Sequence, residues 1–69
     1  MRWSNKENKK ANYPKVDLFL ADIHEVCKKH GYCIEHEDLH GGFVIEKYTN
    51  EKDFEWLNAA SVGEISVDV

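Results

Sequence analysis

Sixty-nine residues, 42% hydrophobic and 32% charged, have the make-up of one small globular domain and not of a disordered chain. The net charge is −4, and no apolar run approaches the ~18–20 residues that cross a bilayer. An acidic body repels nucleic-acid phosphates, and a chain this short buries only about 60% of its unfolded surface, so the protein is expected as a monomer or homodimer whose thin core gains from a partner.

The charge is uneven. Residues 1–15 carry five basic side chains against one acid, and residues 16–69 carry four lysines against twelve acids. Residues 1–13 are rich in Asn and Lys and show no apolar periodicity, so they are expected to be a disordered basic arm. Such an arm could reach nucleic acid. No apolar segment follows it that would make a signal peptide, which sets a cytoplasmic location in a bacterial host as the expectation, with Cys27 and Cys33 as reduced thiols.

Tyr13-Pro14 marks the start of the domain, residues 14–69. From Lys15 to His30, Val16, Phe19, Leu20, Ile23, Val26, Cys27 and His30 recur every three or four residues and predict an amphipathic helix. Acids lie early and lysines late, as the helix dipole favours. Gly31 is placed for a left-handed C-terminal cap. Residues Tyr32–His36 and Gly42–Tyr48 alternate as two strands, and Gly41-Gly42 supply the turn between them. A lone hairpin is unstable in water and needs helices against its apolar face. Asn50 caps a second helix running from about Glu51 to Ala60. The alternation of residues 64–69 fits either a third strand or a mobile tail. The predicted fold is α+β, an α-β-β-α domain in which two helices pack a β-hairpin. Its expected core is Val16, Leu20, Ile23, Cys27, Ile34, Phe43, Ile45, Phe54 and Leu57.

Two clusters carry chemistry-bearing side chains. Cys27, His30, Cys33 and His36 have zinc-ligand types, but three-residue spacing on a strand sends Cys33 and His36 to opposite faces, so no metal or other cofactor is expected. The loop His36-Glu37-Asp38-Leu39-His40 is the densest polar group. It suits divalent-ion or proton chemistry by residue type alone. Without a pocket it is read as a self-bonded hairpin loop available to a partner. No serine, cysteine or histidine sits in a catalytic motif, and none is expected to be catalytic. Of the aromatics Trp3, Tyr13, Tyr48 and Trp56, not all fit inside so small a body, and exposed Trp and Tyr anchor interfaces. The candidate partner-binding residues are therefore His36, Glu37, Asp38, His40, Tyr48 and Trp56.

The segments Val26–Gly31 (VCKKHG), His36–Phe43 (HEDLHGGF) and Phe54–Ala60 give the chain a pattern over residues 16–60. It resembles a family of small uncharacterised bacteriophage- and prophage-encoded proteins with a HEDxHGxF-type segment. Cys33 departs from that pattern, which favours an apolar or small polar residue there. The resemblance implies a phage setting and no mechanism. The expected function is a phage accessory protein that binds a host or phage protein, as an inhibitor of a host factor. The alternative is a small nucleic-acid-binding regulator acting through the basic arm.

Overall fold

Seven elements follow in order in a computed structural model, which describes residues 1–67. Strands β1 (Arg2–Ser4) and β2 (Lys9–Ala11) lead into helix α1 (Pro14–His30). Strands β3 (Tyr32–His36) and β4 (Phe43–Lys47) follow, then a 3-10 turn (Glu51–Phe54) that runs into a short helix, α2 (Glu55–Asn58). The protein is thus a small α+β domain built on two antiparallel two-stranded sheets, β1-β2 and β3-β4.

The first hairpin corrects the expectation of a disordered arm. Arg2, Trp3 and Ser4 pair with Ala11, Lys10 and Lys9, and Asn8 takes the left-handed conformation (φ 55°) that closes the turn. Ser4 and Tyr13 are buried and hydrogen-bonded at 2.7 Å. The Glu7 amide donates to Ser4 Oγ at 3.0 Å, and the Tyr13 hydroxyl donates to the Ile65 carbonyl at 2.9 Å. Ser4 Oγ is therefore the donor to Tyr13, and both buried hydroxyls have partners. Val62 adds an isolated parallel bridge to Ser4, with amides exchanged at 2.8 Å with Trp3 and Asn5. Ala11, Tyr13 and Val62 form one core cluster, flanked by Val16 and Val67. The Arg2 guanidinium reaches Asp17 Oδ1 at 2.7 Å and also donates to the carbonyl of Asn58. These long-range contacts offset the weak intrinsic preference of a three-residue polar strand.

Helix α1 and the second hairpin match the sequence pattern. Gly31 caps α1 with φ 77°, and its amide donates to the Cys27 carbonyl at 2.8 Å. The β3-β4 register runs from Tyr32↔Lys47 to His36↔Phe43, and Gly41 provides the positive φ of the turn. Cys27, Cys33 and Phe54 form the second core cluster, with Ile23, Tyr48 and Leu57 against it.

Several expectations need correction. Phe43 and Ile45 are exposed, as are Phe19 and Val26 of the helical stripe. The body is a slab with a shortest Cα extent of 15 Å, and the side chains on one flank of α1 and along β4 stay open to solvent. The second helical segment is shorter than expected and opens as a 3-10 turn. There the Asn50–Asp53 capping box tightens the first residues: Asn50 Oδ1 accepts from the Lys52 amide at 2.9 Å, and Asp53 Oδ2 from the Asn50 amide at 3.2 Å. Residues 64–67 form no strand. The rest of the tail, Asp68 and Val69, lies outside the described residues.

Candidate functional site

The β3-β4 turn organises itself around one carboxylate. Glu37 accepts from the Leu39 amide and the His40 amide at 2.8 Å each, and from His40 Nδ1 at 3.0 Å. Glu37 and His40 are thereby committed to the shape of the loop. His36 behaves differently. Its Nδ1 donates to Asp38 Oδ1 at 2.8 Å, and its ring lies against the Trp56 indole with centroids 5.8 Å apart and planes 25° apart. Phe43, directly across the ladder from His36, meets the same indole at 6.1 Å in a tilted arrangement.

Trp56 thus sits between two clefts. One, of about 670 Å³, is lined by His36, Phe43, Trp56, Leu57 and Ala60 among others. The other, of about 300 Å³, is lined by Glu35, His36, Asp38 and Trp56. Both are open to solvent. The arrangement is an aromatic step, part imidazole, part indole and part phenyl, with two carboxylates at its edge. Aromatic faces beside carboxylates recognise cations such as lysine and arginine side chains.

Of the six residues expected to contact a partner, His36, Asp38 and Trp56 come together at this step. Glu37 and His40 support it from the loop. Tyr48 lies elsewhere, beside α1. Its hydroxyl is 2.9 Å from His24 Nε2, which is also 3.1 Å from Glu51 Oε2, and the His24 ring stacks on Phe54 with centroids 4.2 Å apart. Lys28 pairs with Glu25 at 3.4 Å and with Glu51 at 3.5 Å, and Glu25 followed by Glu51 raises its pKa. Burial, and then Glu51, push the pKa of the Tyr48 hydroxyl up. This group joins α1 to the segment after β4.

Sequence reasoning missed Phe43 and Glu35 as site residues and assigned Phe43 to the core. Their signal was positional: Phe43 pairs with His36, and Glu35 precedes it. The cysteines lie inside. Cys33 is buried, its Sγ is 3.6 Å from the Lys47 carbonyl, and burial pushes its thiol up, with Glu35 adding to the shift. Among the described residues, no three His, Cys, Asp or Glu side chains are placed to share a metal ion. No helix among them is long and apolar enough to cross a membrane.

No family model, curated protein or solved structure matches this chain.

Proposed function

We propose that the protein is a non-enzymatic binding module that takes hold of a lysine- or arginine-bearing segment of a host or phage protein at the Trp56 step. The observation that carries this reading is the solvent-open indole of Trp56, packed against His36 and Phe43 with Glu35 and Asp38 beside it. Packed aromatics lose little entropy on binding, and cation–π contact with the indole face is worth about 0.5–2 kcal/mol. The net charge of −4 draws basic partners toward the surface. Inhibition would follow if the captured segment were one its owner uses to hold nucleic-acid phosphates, since the carboxylates compete for the same cations. The phage setting rests on the resemblance of residues 16–60.

The non-enzymatic reading rests on the sequence, in which no serine, cysteine or histidine sits in a catalytic motif. The alternative of a basic arm on nucleic acid is weakened because Arg2 is ion-paired with Asp17 and the arm is a folded hairpin.

Tagged protein incubated with bacterial lysate and eluted with rising salt tests the proposal. A basic protein should be retained near stoichiometrically, released as salt rises, and lost with Trp56→Ala and with Asp38→Asn. Equal retention by both variants would refute it.

A further inference from the structure

A second apolar feature lies away from Trp56, on the open flank of α1. Ile23, Val26 and His30 of α1 and Tyr32, Ile34 and Ile45 of the sheet line a groove of about 290 Å³. At its margin Phe19, Val26, Tyr32 and Ile45 are 62%, 55%, 61% and 61% exposed. With side chains of this kind offering roughly 150–250 Å² when aromatic and less when aliphatic, the four leave on the order of 400 Å² of apolar surface in one patch. That is the size of a functional patch and not of scattered surface residues.

We infer that this flank is a two-fold interface with a second copy of the chain, in which the α1 helices lie antiparallel. Three observations favour a second copy as the occupant. The first is charge. Asp22 and Lys29 are exposed, form no ion pair among the described residues, and stand seven residues apart, as Phe19 and Val26 do. Residues seven apart share a helix face, so the two charges border the apolar stripe. An antiparallel partner related by an axis between Glu25 and Val26 sets Asp22 of each copy opposite Lys29 of the other. The patch is therefore complementary to itself, as a two-fold contact requires.

The second is the apolar stripe. The same axis brings the exposed Val26 of one copy beside that of the other, so apolar surface covers apolar surface. The third is area. The apolar patch supplies about half of the ~800 Å² per partner of a standard interface, and the flanking polar surface of α1 and β4 supplies the rest. A second slab on this flank also covers the side that a body 15 Å thick leaves open.

Sedimentation equilibrium over a wide concentration range tests the inference on the full chain. The wild type should approach twice the 8.0 kDa chain mass. Val26→Glu places a carboxylate beside its own symmetry mate in an apolar contact and should weaken the dimer roughly hundredfold, with an unchanged circular dichroism spectrum because Val26 is exposed. Asp22→Lys and Lys29→Glu should each weaken it about tenfold, and the double exchange should restore it. A monomer up to the solubility limit, a dimer indifferent to Val26→Glu, or a double exchange that fails to restore association would each overturn the inference. Trp56 plays no part in this contact, so the outcome is separate from that of partner capture.

Discussion

Tyr13→Phe is the sharpest probe of the N-terminal hairpin. The substitution keeps the ring and removes one hydroxyl. That hydroxyl accepts from Ser4 Oγ at 2.7 Å and donates to the Ile65 carbonyl at 2.9 Å. Ser4 is wholly buried, so its hydroxyl would lose its acceptor with no water to replace it. Leaving a buried polar group unpaired costs about 1–3 kcal/mol. In a domain of this size each kcal/mol moves Tm by roughly 4–8 °C. At fixed protein concentration, thermal melts followed by circular dichroism should show Tyr13→Phe melting about 8–16 °C lower, for a central cost of ~2 kcal/mol. The urea m-value should be unchanged, because the same surface is exposed on unfolding. Ser4→Ala removes the other half of the contact, and a double-mutant cycle should give a coupling of at least ~0.5 kcal/mol. A Tm within about 2 °C of wild type, together with no coupling, would mean that residues 1–13 do not dock on the body.

Further outcomes follow from local geometry. Gly31→Ala puts a side chain at φ 77° and should cost about 1 kcal/mol in urea unfolding with no change in partner capture; an unchanged midpoint would contradict the left-handed cap. Hydrogen bonds from the Thr49 amide, the Thr49 hydroxyl and the Asn50 amide, in that order, hold the Asp53 carboxyl below the ordinary aspartate range. A group whose folded pKa is lowered contributes its full stability above its unfolded pKa and loses it as pH falls through the folded value. Asp53→Asn should therefore be less stable than wild type at neutral pH, and the gap should close on acidification; a gap constant with pH would show that the carboxylate charge is not what matters. Because Cys33 is buried with its thiol pushed up and Cys27 is buried beside it, both should react slowly with a disulfide reagent in the native protein and rapidly in denaturant. Fast native labelling would mean that the second core cluster opens easily.

What the chain disclosed in advance were the elements with strong local signals. The three-and-four spacing of α1, the left-handed glycine at its end and the alternation of β3-β4 are properties of neighbouring residues. The first hairpin has no such signal. Its strands are three residues long and mostly polar, and they are held by Val62, Ile65 and Asp17, partners far away in sequence. Its turn rests on Asn8, whose left-handed conformation is seen only in the structure. Tyr13 reads only as one of four aromatics that cannot all fit inside, because its two hydroxyl partners are invisible to periodicity. At the site, Trp56 stood out as an aromatic one step off the Phe54–Leu57 stripe. Phe43 was placed inside because hydrophobic strand residues usually face a core. Here the slab is too thin to provide one on that side, and the ring instead borders the indole.

Fluorescence of Trp56 gives the most direct measurement of the proposed binding. In a Trp3→Phe background Trp56 is the sole indole. Titration with lysine- and arginine-rich peptides at low salt should shift its emission to saturation. The shift should weaken with added salt and with Asp38→Asn or Glu35→Gln. An emission spectrum indifferent to every basic peptide, with the fold intact by circular dichroism, would contradict the assignment of the Trp56 step as a cation-recognising surface.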